Sequence, residues 1–185
     1  MHIEKIVVGL LSTCCYAVWQ EDRDDCVIID PGAGAEKIRR RLDGRRISAM
    51  LLTHGHFDHI GAVAKLLEEG CELIIHEEDA ACLADPYRNA SWMIHMSMTA
   101  PAPTRRVTEG DTVEAAGITF RVLHTPGHTP GSVCYEAEDA LFTGDTVFHM
   151  GCGRTDLPGG DEDAMQDSLA RLAPMLRTHT IYPGH

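Results

Sequence analysis

The sequence predicts an α/β fold built as two sheet-and-helix halves, on three observations. Short apolar runs of strand length alternate with amphipathic helical stripes along the chain. Their order, strands, helix, strand, helix, then strands, helix and a last strand, gives each half a sheet and a helical layer to cover it. No Pro/Ser/Gly-rich linker divides the 185 residues, which suffice for one well-buried core, so a single domain over residues 1–185 is expected.

In chain order, residues 3–8, 14–19 and 26–29 read as strands of a β-meander, separated by Gly9 and the charged turn 21–25. Asp30-Pro31-Gly32 ends the third strand, and residues 35–42 form a helix closed by Gly44. Asp30 has two readings, support for a ligating histidine or a simple Asx turn, with the turn preferred. The run 47–52 has the length and apolarity of a buried strand. After it, Ile60, Val63, Ala64 and Leu67 follow the spacing of a helix with one buried face. Residues 72–75 make a strand and 77–83 a short helix stopped by Asp85-Pro86. The segment 87–103, with Trp92, Met93, Met96 and Met98 among polar residues, reads as a long loop, either a lid over a site or a plug in the core. Strands follow at 113–115, 118–123, 132–136 and 140–142. A helix at 161–176 buries Met165, Leu169, Leu172 and Leu176, and a final strand spans 180–182.

The most informative stretch is Thr53-His54-Gly55-His56-Phe57-Asp58-His59, four donor-type side chains within six positions at a strand-to-helix junction. Stiff elements on both sides fix ligand geometry before an ion arrives, and Gly55 is expected to let the backbone turn sharply there. Donor-type residues recur downstream in the same setting, a Gly-containing turn after an apolar run: His128 in TPGH, Asp145 in TGD and His185 in YPGH. Five imidazoles and two carboxylates suit zinc, iron or manganese rather than calcium or magnesium, and seven donors exceed what one tetrahedral ion takes.

HGHFDH, TPGHTPGS, FTGD and YPGH, in that order, resemble the motifs of the metallo-β-lactamase superfamily, in its glyoxalase II-like branch. The resemblance implies a four-layer αββα sandwich with two divalent metal ions at one edge, zinc foremost. It assigns His54, His56 and His128 to the first ion, Asp58, His59 and His185 to the second, and Asp145 as the bridge, with Asp58 and Asp145 the catalytic carboxylates. The implied activity is hydrolysis of a small acyl-thiol, such as a hydroxyacylglutathione, by a hydroxide that two ions share. No general acid stands ready outside the ligands, which favours a thiolate leaving group over an amine. Lactamases of the superfamily commonly have cysteine at the position of Asp145 and arginine at that of His59, so both departures point away from lactams. Members of this branch continue beyond the last histidine, so a short tail after His185 is expected.

The loop 150–161 that follows Asp145 is the expected specificity element, with Cys152 and Arg154 as substrate contacts. Arg154 either grips a substrate carboxylate or pairs with Asp156 or Asp161. His124 is a candidate support for a ligand, and the other histidines are surface or core residues. The same loop resembles that of persulfide dioxygenases, a rival reading in which His54, His128 and Asp145 hold a single iron. A metal-stabilised interaction module without catalysis ranks last, since structural zinc sites are usually closed and Cys-rich.

Composition narrows the rest. A formal charge of −12 repels phosphate backbones and argues against nucleic acid, and two divalent ions would offset part of it. Seven cysteines without a C-x-x-C read as reduced, mostly buried thiols. No signal-peptide pattern or spanning apolar run occurs, so a cytoplasmic protein with a small-molecule substrate and no membrane partner is expected.

Overall fold

The computed structural model describes all 185 residues and places two β-sheets face to face with helices on both outer sides. The first sheet contains β1 (His2–Val8), β2 (Thr13–Trp19), β3 (Asp25–Ile29), β4 (Arg46–Leu51), β5 (Glu72–His76) and β6 (Arg105–Val107) in that order. Its first three strands form the expected antiparallel meander, and β3 to β6 run parallel. The second sheet is ordered β11 (Thr180–Pro183), β10 (Ala140–Gly144), β9 (Val133–Ala137), β8 (Ile118–His124) and β7 (Thr112–Ala115), antiparallel except for the β10–β11 pair.

Three apolar clusters account for the four layers. Between the sheets, Val18, Val27, Ile29 and Leu51 of the first meet Phe120, Val122, Tyr135 and Phe142 of the second. On the outer face of the first sheet, Ile28, Met50 and Leu73 pack under α1 (Ala35–Leu42), α2 (Phe57–Ile60) and α3 (Val63–Leu66) through Ile38, Leu42, Ile60, Val63 and Leu66. On the outer face of the second, Leu123, Cys134 and Leu141 pack under α4 (Glu162–Leu172) through Leu172. This is the αββα sandwich, each sheet closing its open face with helices. No helix is long and apolar enough to cross a membrane.

Several boundaries differ from the sequence reading. The helix expected after the histidine cluster is two short helices, because the chain turns at Gly61 and Ala62 to dock on the 31–32 loop. Ala62 N bonds Pro31 O at 2.9 Å, and a Cβ on Gly61 would lie 2.4 Å from Gly32 O. The buried positions are therefore Val63 and Leu66 rather than Ala64 and Leu67. Residues Glu77–Ala84 form a 3-10 helix, and α4 stops at Leu172, with Pro174 leading into a separate 3-10 turn at Met175–Arg177. Strand β6 went unread because its three residues include two arginines and show no alternation. Six of the seven cysteines are buried thiols, and Cys152 is exposed.

Candidate metal centre

One edge of the sandwich gathers all seven donor residues. The β4–α2 loop carries His54, His56, Asp58 and His59, the turn before β9 carries His128, the end of β10 carries Asp145, and the end of β11 carries His185. Their donor atoms form groups able to hold an ion: His54, His56 and His128; Asp58, His59 and His185; and His54, His59 and Asp145, which joins the two.

The hydrogen bonds around the imidazoles set their orientation. His54 Nδ1 lies 3.1 Å from Thr53 Oγ1, whose own hydrogen goes to Asp30 Oδ2 at 2.7 Å, so His54 donates from Nδ1 and keeps Nε2 free. His128 Nδ1 donates to Arg154 O at 2.7 Å, and His185 Nδ1 to Leu11 O at 3.0 Å. His59 Nδ1 faces Asp30 Oδ2 at 3.0 Å, off the line of a good hydrogen bond. Four rings thus turn Nε2 inward, while His56 points Nδ1 inward, 2.8 Å from His128 Nε2. Asp58 is held by Thr13 Oγ1, which donates to its Oδ2 at 3.0 Å.

Within this cluster His54 Nε2, His59 Nε2 and Asp145 Oδ1 are buried without a hydrogen-bond partner. Orphaned buried polar atoms are costly and rare, and their convergence here is what cation ligands require, so these residues fit divalent ions. Protonation agrees. Burial, with neighbouring His59 and His128, drives His54 well below the usual histidine range, and burial with His128 pushes His56 down to about 3, leaving both as neutral donors. At His59 burial opposes charge, but Asp58, Asp145 and Asp30 outweigh it and raise the ring well above its ordinary value. Burial likewise opposes ionisation of Asp58 and Asp145, yet His59 above all keeps both below the usual carboxylate range. The second group is thus a place that favours positive charge.

Two residues that sequence reasoning missed or misjudged complete the site. Asp30 is not merely an Asx turn: at φ 51° its side chain crosses to the ligand loop, where Oδ1 accepts from Thr53 N at 2.8 Å and Oδ2 takes the Thr53 hydroxyl and faces His59. Asp79 went unmentioned. Wholly buried, it accepts from Gly55 N, Gly131 N and Thr129 Oγ1, each at 2.8 Å, and so ties the loop of His54 and His56 to the loop of His128. Gly55 itself has no positive φ. It is glycine because a Cβ there would lie 2.4 Å from the Cys82 Cβ, a packing reason rather than the expected sharp turn.

The donors open into a cavity of about 420 Å³. Its floor includes His56, Asp58, His128, Asp145 and His185, and its walls include Leu11, Phe57, Met93, Ile94, Phe148 and Leu157. No Ser, Thr, Cys, Tyr or Lys lines it. The segment 87–103 therefore borders the site through Met93 and Ile94, and Met93 and Met96 are exposed rather than plugging the core. Arg154 reaches the cavity wall, but its guanidinium is engaged by Asp156, Nε to Oδ1 at 2.6 Å and Nη2 to Oδ2 at 2.7 Å. Cys152 sits outside the cavity lining, and the adjacent Gly153 takes its place because a Cβ there would press to 2.1 Å of Asp145 O and 3.0 Å of His128 Nδ1. His124 does not support a ligand: its ring stacks on His76 at 4.1 Å and its Nε2 donates to Pro130 O.

Comparison with known proteins places this geometry. The family model described as the metallo-beta-lactamase superfamily matches residues 8–185. The hydroxyacylglutathione hydrolase GloC of Haemophilus influenzae is 34% identical, over all of this chain and 91% of its own length. Among solved structures, BLEG-1, a B3 metallo-beta-lactamase, is 35% identical with a TM-score of 0.93, covering 100% of this chain and 91% of its own. TTHA1623, solved in a di-iron-bound form, is 35% identical with a TM-score of 0.85, covering 98% and 91%. ETHE1 from Myxococcus xanthus is 30% identical with a TM-score of 0.78, covering 100% and 76%.

Proposed function

Because the chain belongs to the metallo-beta-lactamase superfamily, we propose that it is a dinuclear metal-dependent hydrolase that cleaves a small acyl-thiol, the class to which hydroxyacylglutathione belongs. The observation that carries this reading is the pair of donor groups joined through Asp145, opening on a cavity that offers no side-chain nucleophile. In it His54, His56 and His128 would hold one ion and Asp58, His59 and His185 the other, with Asp145 in the donor group between them. When bound, two such ions supply a nucleophile from water near neutral pH and polarise the scissile carbonyl.

The chain's own residues do the positioning. Thr53, Arg154 O and Leu11 O fix the tautomers of His54, His128 and His185, Thr13 holds Asp58, and Asp30 sets its negative charge behind His59. The lining contains no lysine or tyrosine to protonate a poor leaving group, and a thiolate departs without one. Two relatives bear on the choice. The similarity to GloC supports the acyl-thiol. The similarity to a B3 metallo-beta-lactamase makes lactam opening the activity to be compared with it.

The test is elemental analysis of protein purified without added metal, followed by assays for thiol release from acyl-thiols, lactam opening, and oxygen uptake with a persulfide. Two ions per chain with thiol release as the dominant activity is the expected result. One iron per chain with oxygen uptake would move the reading to the persulfide dioxygenase, and lactam opening without thiol release would overturn it in favour of a lactamase.

A further inference from the structure

The cavity beside the donors is unequal in character. Its ionic side is the donor cluster, and its only guanidinium or ammonium group, Arg154, is neutralised by the two hydrogen bonds to Asp156. The opposite wall is hydrocarbon. Met93 and Ile94, each 42% exposed, present large apolar side chains toward the donors, and Leu11 and Phe148 continue the same surface.

That wall is built rather than left over. Met93 and Ile94 sit on a 3-10 turn, Ser91–Ile94, flanked on both sides by left-handed residues that are not glycine, Ala90 at φ 61° and His95 at φ 55°. Such conformations cost energy and persist where surrounding contacts impose them. The contacts here come from the buried Asn89. Its side chain donates to Cys82 O and Met98 O and accepts from Ser91 N, and its carbonyl accepts from Phe57 N on the ligand loop at 2.9 Å. Ser91 Oγ takes Met98 N, closing the segment on itself. The turn is thus anchored to the loop that carries the donors, and a strained backbone holds two apolar side chains over them.

On the thioesterase reading, we infer that Met93 and Ile94 form the specificity wall of the site and that the substrate is a thioester carrying an unsubstituted apolar chain, not an anionic group, next to the scissile bond. The wall contacts the chain; the donor cluster handles the carbonyl. Each methylene that enters such a surface is worth about fourfold in binding.

The experiment uses two series on metal-loaded protein. One lengthens the acyl group from acetyl to octanoyl on N-acetylcysteamine, and the other lengthens the alkyl thiol of an acetyl thioester. kcat/KM should climb about fourfold per methylene in one series until the cavity is full, and that series tells which side of the bond faces the wall. Met93→Ser and Ile94→Ser should flatten the climb, so that kcat/KM falls progressively more with each added methylene than it does for the acetyl substrate. As both side chains are half exposed, their melting temperatures should match the parent. Matched thioethers, which cannot be hydrolysed, are titrated calorimetrically and should show the same length dependence in Kd. A flat profile in turnover and in thioether binding would overturn the inference, as would variants that slow all lengths equally. If no thioester is cleaved but thioether affinity still climbs with length, the hydrolytic reading fails while the apolar wall stands.

Discussion

Asp79→Ala tests whether the site is held together by a carboxylate that touches no ligand. In the native protein its two oxygens satisfy three donors, Gly55 N, Gly131 N and Thr129 Oγ1, all buried. Alanine leaves the two backbone N–H groups without a partner, while Thr129 Oγ1 keeps Ser132 Oγ at 2.7 Å, and each orphaned buried donor costs about 1–3 kcal/mol. Water entering the vacated space recovers part of this, so a loss of about 2–4 kcal/mol is expected, a large share of a typical domain's stability. Asp79→Asn keeps one acceptor but sets its NH₂ against a backbone N–H, so the loss should be about 1–2 kcal/mol. Urea unfolding should be run on chelator-stripped and metal-loaded protein, because bound metal adds its own stabilisation. Burial also raises the Asp79 carboxyl above its ordinary 3.8. The native state therefore holds this proton after the unfolded chain has released it, and stability falls as pH rises from the ordinary value through the raised one. The asparagine variant should lose that component of the slope. An alanine variant within about 1 kcal/mol of the parent, or an asparagine variant as damaged as the alanine one, would refute the reasoning.

His56→Ala should leave the Asp58, His59 and His185 group intact while emptying the first, so elemental analysis should fall from two ions per chain toward one and hydrolysis should be lost. Asp30→Asn, which disturbs the Thr53 contacts and the carboxylate behind His59, should lower zinc affinity about 10–100-fold in competition with a chromophoric chelator. Gly55→Ala should destabilise by about 1–3 kcal/mol in chemical denaturation. Adding Cys82→Gly should restore much of that, whereas Cys82→Ala should not, because the collision is with the Cys82 Cβ. Arg23, 2.7 Å from Asp25, holds that carboxyl below its usual range. Its contribution is present above the ordinary 3.8 and is lost as pH falls through the depressed value, so Asp25→Asn should flatten the acid limb of a melting-temperature profile.

The donors were legible in the sequence because four of the seven lie within six residues and the others repeat one local pattern, a glycine turn after a strand. The layers were legible because period-2 and period-3.6 stripes record which face is buried. What holds the donors in place left no such trace. Asp79 stands in the run Glu77-Glu78-Asp79 at a helix start, where acidic residues are ordinary, and its three partners lie 24, 50 and 52 positions away. Asp30 was visible as a carboxylate before Pro-Gly, but choosing between a local turn and a distant partner required knowing that β3 pairs with β4 in parallel, which sets Asp30 beside Thr53. Arg154 shows the same division from the other side. Its side chain drew attention as a carboxylate grip, yet Asp156 takes the guanidinium, and what Arg154 gives the site is its backbone oxygen on His128, a function that no residue type advertises. Ligand identity is written in side-chain chemistry, which sequence displays. Ligand aim is written in carbonyls, amides and two buried carboxylates brought together by the fold, so substitutions around Asp79 and Asp30 should disable the centre without altering any of the four motifs.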